Sequence, residues 1–285
     1  MSDLFDFEQR RDQYGVMGNP ISHSQSPRIH SLFAEQTRQH LSYEAIHVDL
    51  GGFAQAVGNF DASGGKGLNI TVPFKQEAFE LVDELSARAR RAGAVNTIKF
   101  EKHKRYGDNT DGVGLVNDLR QNHHIVLAGK RILLMGAGGA ARGVLAPLLE
   151  CKPAVLMIAN RTPDKAVALA ATFTDLGSIK GCGYHELGEQ RFDIVINATA
   201  ASLQGELPPL PESILADGAV CYDMMYGKLT PFMSWARSHG AAQVFDGLGM
   251  LVEQAAESFF LWRGVRPQTA PVIALLRSEF PVAIS

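Results

Sequence analysis

The chain has little of what marks a secreted, membrane-bound or nucleic-acid-binding protein. Its 285 residues include three cysteines, Cys151, Cys182 and Cys221. They form no C-x-x-C pair and leave an odd count, so neither a disulfide framework nor a zinc knuckle is supported. Charge is sparse and balanced, at 20% of residues and a formal net charge of −3. No basic excess exists to hold nucleic acid or an anionic membrane. The longest apolar runs fall short of the roughly 18 residues of a membrane span. The first ten residues are acidic and aromatic, without the basic and apolar regions of a secretory signal, and read as a loose tail. Nine histidines form no H-E-x-x-H and no other evident ligand pair, which leaves metal chemistry without a motif. A reduced, cytoplasmic setting fits these absences.

What the chain does have is glycine and short apolar strands, in a length that can bury a large core and divide into two domains. Strands at 14–18, 43–48, 67–72 and 94–100 alternate with helices after Pro27, near Phe53 and over 75–85. Such alternation predicts an α/β fold with a mainly parallel sheet covered by helices. The run Gly107-Asp-Asn-Thr-Asp-Gly112 marks a hinge before another helix. Further strands are expected at 192–197, 219–223 and 243–245. From Gly249 onward the chain reads as helical, with Leu251, Ala255, Phe259 and Trp262 forming an apolar stripe at helical spacing. Gln254 borders that stripe instead of lying within it.

The segment 131–162 is the most specific. An apolar strand at 131–135 runs into Gly136-Ala137-Gly138-Gly139-Ala140-Ala141, which fits G-x-G-x-x-A. Gly136 permits the tight turn, Gly138 lets a pyrophosphate approach the backbone, and Ala141 lets the helix lie close to the strand. The helix N-terminus then faces the anion. After a second strand at 155–159, an NAD enzyme places an acid on the ribose 2′-hydroxyl. This chain offers Asn160-Arg161-Thr162, and a guanidinium pairs with a 2′-phosphate that a carboxylate repels. Lys165 adds a second cation one turn on. The cofactor indicated is NADP.

Three segments carry candidate substrate contacts. Along 68–72, period two places Leu68, Ile70 and Val72 on one face and Asn69 and Thr71 on the other. Pro73 ends the strand, so Lys75 starts a helix just past the strand's carboxyl end, where ligands bind in open α/β sheets. Ser26 is a good N-cap and Pro27 a good first helical residue. Equally, the Ser24 and Ser26 hydroxyls beside a helix N-terminus suit a carboxylate. Asp111 is one of several capable caps in its run, and it could also pair with Lys75 for proton transfer to a substrate hydroxyl. The sequence alone does not show that the two meet.

The motifs His23-Ser-x-Ser-Pro27, Asn69-x-Thr-Val-Pro-Phe-Lys75, Gly93-Ala-Val-Asn-Thr97, Gly107-Asp-Asn-Thr-Asp-Gly112, Gly136-Ala-Gly-Gly-Ala140, Asn160-Arg-Thr162, Asn197-Ala-Thr199, Tyr222-Asp-Met224 and Asp246-Gly-Leu-Gly-Met-Leu-Val252 resemble the shikimate dehydrogenases, in the same order and across almost the whole chain. The resemblance implies reversible NADP-dependent reduction of 3-dehydroshikimate to shikimate, on the way to chorismate and aromatic amino acids. It implies a substrate-binding domain at 11–110, a Rossmann-like NADP-binding domain at 111–246, and C-terminal helices at 247–285 that return to the first. By position, Lys75 and Asp111 are the catalytic pair, with Lys75 the better proton donor. Ser24 and Ser26 hold the substrate carboxylate, Asn69, Thr71, Asn96 and Gln254 hold ring hydroxyls or their neighbours, and Tyr226 closes the carboxylate side. The cofactor falls to Gly136, Ala137, Gly138, Gly139, Ala140, Asn160, Arg161, Thr162, Lys165, Thr199, Met224 and Gly247.

Two departures stand out. Ala200 replaces a serine common in the family, and Lys165 replaces a common arginine, keeping the charge but losing the planar fork. Other readings to be separated are a quinate/shikimate dehydrogenase of relaxed specificity, a methylenetetrahydrofolate dehydrogenase, a methyltransferase and a non-catalytic NADP-binding sensor. The paired serines favour a small carboxylated polyol over a folate, and the missing ribose acid disfavours a methyltransferase. The expected partner is a small molecule, with no nucleic acid and no membrane, and the sequence leaves monomer and homodimer open.

Overall fold

The computed structural model describes residues 11–102, 104–199, 201 and 205–280; the N-terminal tail and Ala200 lie outside them. The first half builds a six-stranded sheet from β1 (Asp12–Gly18), β2 (Leu41–His47), β3 (Gly67–Ile70), β4 (Glu84–Leu85), β5 (Thr97–Glu101) and β6 (Lys104–Asp108), in the order β2-β1-β3-β5-β6-β4. Its helices are α1 (Ser26–Thr37), α2 (Phe53–Ala62), α3 (Lys75–Leu81) and α4 (Ala87–Ala92). Helix α5 (Asp111–Asn117) leaves this half and passes into a π-helical turn over Asp118–Asn122.

The second sheet contains β7 (Arg131–Met135), β8 (Val155–Asn160), β9 (Ile179–Gly183), β10 (Phe192–Asn197), β11 (Leu215–Asp223) and β12 (Gln243–Phe245). Its order is β12-β11-β10-β7-β8-β9, with every pairing parallel. Counted from β7, this is the 3-2-1-4-5-6 order of doubly wound dinucleotide-binding sheets, with its switch point between β7 and β10. Four of the five residues of β7 are buried, as expected of a strand covered on both faces. Helices α6 (Gly139–Glu150), α7 (Pro163–Ala171) and α8 (Pro231–Ser238) cover it. Two final helices, α9 (Leu248–Arg263) and α10 (Ala270–Glu279), share one apolar cluster with Ile29 and Phe33 of α1, so they do pack back on the first half. Among the described residues, no helix is long and apolar enough to cross a membrane.

Some elements differ from expectation. Strand β3 stops at Ile70, and Val72, expected on the face of Leu68 and Ile70, is 65% exposed while those two are buried. Helix α3 stops at Leu81 instead of 85, because Asp83 and Glu84 are drawn to β6: Asp83 N–H bonds Arg105 O at 2.9 Å and Glu84 pairs with Tyr106 in parallel register. Strand β6 itself escapes a search for apolar alternation, since Lys104-Arg-Tyr-Gly-Asp108 has none. It is held instead as the antiparallel partner of β5, which makes the first sheet mixed.

Two glycines decide where α5 runs. A Cβ on Gly112 would lie 2.6 Å from Gly143 O of α6, and one on Gly114 would lie 2.7 Å from Gln254 Cβ of α9. The helix therefore passes between α6 and α9 at backbone contact. We expect Gly114→Ala to cost about 2 kcal/mol by overpacking, measured by chemical denaturation. It should also raise KM for the substrate, since α9 can move away only by carrying Gln254 with it. Wild-type stability in the variant would contradict this tight packing.

Candidate active site

The antiparallel hairpin that sequence patterning misses is what assembles the site. Asn69 of β3 pairs with Thr97 of β5, and Thr97 pairs with Asp108 of β6. The end of β3, the start of β5 and the end of β6 therefore lie side by side. Lys75 follows the first, Asn96 precedes the second, and Asp111 follows the third. Lys75 Nζ donates to Asp111 Oδ2 at 2.6 Å, with the two side chains 26% and 11% exposed. The other carboxylate oxygen, Oδ1, accepts from Asn96 Nδ2 at 2.8 Å. The pair is thus sheltered on one side and open to a cavity on the other.

That cavity, of about 380 Å³, is lined from both halves of the molecule. Ser24, Ser26, Asn69, Thr71, Lys75, Asn96 and Asp111 come from the first half, Met224, Tyr226 and Gly247 from the second, and Gln254 from α9. Ser26 does not cap α1 as expected: the helix already includes it, and Ser24 Oγ accepts the Ser26 N–H at 3.3 Å. Ser26 lines the cavity beside the helix N-terminus, where an anion is favoured, and its side chain also hydrogen-bonds Tyr43. Burial raises the phenol of Tyr226 above its usual range, which keeps it a neutral donor. Gln254 Oε1 stands 3.4 Å from Thr110 Oγ1, and its Nε2 donates to Leu251 O at 2.8 Å.

Asn69 occupies the cavity wall with its amide turned inward. Its Oδ1 accepts from Tyr43 at 2.8 Å, and its Nδ2 lies 3.0 to 3.2 Å from Ser258 Oγ, Thr97 Oγ1 and Asn96 O. Behind it, His30 is 1% exposed and stacked on Tyr43 at 4.2 Å. Burial lowers its pKa to about 3, so it is neutral at any working pH. The sequence motifs single out none of Tyr43, His30 and Ser258. Helical spacing could have indicated His30, one turn after Ser26 on α1, and Ser258, one turn after Gln254 on α9, whereas Tyr43 on β2 has no such link to Asn69 on β3.

Across the cavity, the Gly-rich turn leads from β7 into α6. Gly136 has φ of +104° and sits where a Cβ would come within 3.2 Å of Ala198 O and Thr199 Cγ2, so only glycine fits without strain. Gly138, Gly139 and Ala140 are exposed. A Cβ on Gly138 or Gly139 would touch nothing within 4 Å, and no side chain caps the helix. Free amides at an open helix N-terminus suit a diphosphate. Ala141 is fully buried against the sheet. Beyond β8, Asn160 Nδ2 donates to Thr162 O at 3.0 Å and fixes the turn that presents Arg161. Arg161 and Lys165 are exposed, and neither has an ion pair among the described residues. Thr199 is held by Asn197, which accepts from its hydroxyl at 2.7 Å and its N–H at 3.1 Å. A Cβ on Gly247 would lie 2.3 Å from Met224 O, so these two backbones cross in contact at the cavity edge. The donor set, open glycines and uncommitted cations fit NADP.

The fold and these facing sites define a two-domain α/β oxidoreductase of the dinucleotide-dependent class. Comparison with known proteins narrows this. Residues 16–98 match the shikimate dehydrogenase substrate binding domain, 118–204 the shikimate / quinate 5-dehydrogenase family, and 247–277 the shikimate 5'-dehydrogenase C-terminal domain. A shikimate dehydrogenase (NADP(+)) of Alkalilimnicola ehrlichii is 60% identical over 94% of this chain and 99% of its own. That of Dechloromonas aromatica is 59% identical over 94% and 98%. The Thermus thermophilus shikimate 5-dehydrogenase, solved in complex with NADP(H) and shikimate, is 30% identical with a TM-score of 0.82, covering 94% of this chain and 99% of that one. The chain belongs to the shikimate dehydrogenase family.

Proposed function

We propose that this protein catalyses the reversible NADP-dependent interconversion of 3-dehydroshikimate and shikimate, with Lys75 and Asp111 as its catalytic pair. The observation that carries the reading is the 2.6 Å contact of Lys75 with Asp111 on the wall of a cavity that both halves line. When bound, NADPH would supply the hydride. The Lys75 ammonium delivers to the substrate ketone oxygen the proton that completes the hydroxyl. Asp111 keeps that ammonium aimed into the cavity and stabilises its charge. In the oxidative direction neutral Lys75 takes the proton back.

Ser24, Ser26 and Tyr226 hold the substrate carboxylate, while Thr71, Asn96 and Gln254 meet the ring hydroxyls and Asn69 shapes the wall behind them. Gly136, Ala137, Gly138, Gly139 and Ala140 cradle the diphosphate, Asn160, Arg161, Thr162 and Lys165 take the 2′-phosphate, and Thr199, Met224 and Gly247 border the nicotinamide end. The substrate-binding domain spans 11–110 with the helices of 247–285, and the NADP-binding domain spans 111–246. A cytoplasmic setting is supported by three thiols in no disulfide, one of them, Cys221, raised by burial to about 12.

A spectrophotometric assay of nicotinamide reduction tests the reading. Shikimate with NADP should give the highest kcat/KM of the four combinations of shikimate or quinate with NADP or NAD. A preference for quinate with NAD would overturn it.

A further inference from the structure

We infer that Thr97 is a positioning residue: its hydroxyl is the middle link of a one-way hydrogen-bond relay that runs from Tyr43 through Asn69 and Asn96 to the carboxylate of Asp111. This deepens the proposed dehydrogenase mechanism and rests on it.

The direction of the relay follows from two backbone groups. Asn69 Nδ2 lies 3.2 Å from the carbonyl of Asn96, which can only accept, so this amide must present its nitrogen inward and its oxygen to Tyr43. Asn96 Oδ1 lies 2.9 Å from the backbone N–H of Thr110, which can only donate, so this amide must present its nitrogen to Asp111. Thr97 Oγ1 sits between them, 3.1 Å from Asn69 Nδ2 and 2.9 Å from Asn96 Oδ1. It therefore accepts from Asn69 and donates to Asn96. Ser258 Oγ lies 2.7 Å from the same oxygen and itself donates to Gln254 O at 3.1 Å. Each donor in the series, from the Tyr43 hydroxyl to Asn96 Nδ2, points toward Asp111. Lys75 donates to the far oxygen of that carboxylate.

Aligned hydrogen bonds polarise one another in a buried setting. Thr97 and Asn96 are 0% and 2% exposed, and Thr110 is 0%. The relay strengthens the donation of Asn96 to Oδ1 and keeps that amide from rotating. This leaves Oδ2 for Lys75 and fixes the line along which Lys75 meets the substrate.

Thr97→Val removes the hydroxyl at constant shape. Asn69 Nδ2 keeps Ser258 and a carbonyl, and Asn96 Oδ1 keeps the Thr110 N–H, so the fold should persist. We expect kcat to fall about five- to tenfold, the size of one net hydrogen bond, with KM for shikimate and NADP changed less than twofold. Thr97→Ser should restore kcat to within twofold of wild type. In an Asn96→Ala background, Thr97→Val should change kcat less than twofold, because the link it feeds is gone. Wild-type kcat in Thr97→Val would overturn the relay, as would a loss that Thr97→Ser fails to restore or that persists in the Asn96→Ala background. If the wild-type protein itself does not oxidise shikimate with NADP, the proposed function fails, which is a separate result.

Discussion

Replacing Lys75 by alanine should lower kcat roughly a thousandfold, within the range that a positioned general acid contributes, while leaving NADPH affinity within about twofold. The split follows from geometry. Lys75 stands at the start of α3 on the substrate side, and the glycine turn and Arg161 belong to the other sheet. The variant should still fold, because the carboxylate of Asp111 keeps Asn96 Nδ2 on Oδ1 and gains access to water through the cavity on Oδ2. Steady-state kinetics with shikimate and NADP, together with a thermal melt and NADPH titration, check each part. Unchanged turnover would remove Lys75 from the mechanism and revive the alternative of an NADP-binding sensor. A parallel collapse of NADPH binding and stability would make Lys75 structural. Asp111→Asn should also be strongly impaired, since it keeps a hydrogen-bond acceptor but loses the charge that holds the ammonium.

Local chemistry was legible from sequence, and the meeting of segments was not. Period two in Leu68-Asn-Ile-Thr placed Asn69 on the face opposite Leu68 and Ile70 near the carboxyl end of β3, and the glycine turn leads from a buried strand into a helix N-terminus as its pattern implies. These depend on residues near one another in the chain. The contact between Lys75 and Asp111 depends on the register of β3, β5 and β6, and β6 carries no apolar alternation to reveal it. Ser26 was ambiguous because a hydroxyl beside a helix start serves a cap or a ligand equally well. Only the position of Ser24 shows which serine takes the capping bond. Asn69 shows the converse limit: the strand period gave its face, but the partners that turn its amide inward come from β2, β5 and α9, far away in sequence.

Arg161→Ala should raise KM for NADPH about ten- to a hundredfold and leave KM for NADH within about twofold. A charge-assisted bond to a phosphate is worth about 1.5–3 kcal/mol, and each 1.4 kcal/mol is roughly tenfold. Arg161 can contribute this much because it has no ion pair to break among the described residues and is held at the end of β8 by the Asn160 turn. Its charge is felt by Tyr184, whose phenol burial and nearby Cys182 raise to about 12 while Arg161 acts in the opposite direction. Arg161 follows Asn160, the last residue of β8, which pairs with Gly183 of β9, on the side of the switch point where the adenosine half of a dinucleotide lies. Since the 2′-phosphate is remote from the transferred hydride, kcat at saturating NADPH should hold within about twofold. Arg161→Lys should fall between, because an ammonium keeps the charge and loses the two-point fork. Lys165, in the first turn of α7, is the second cation within reach, and removing both should abolish the preference for NADPH over NADH. An equal loss for NADPH and NADH in Arg161→Ala would place Arg161 against the shared part of the cofactor and refute its role as the phosphate reader.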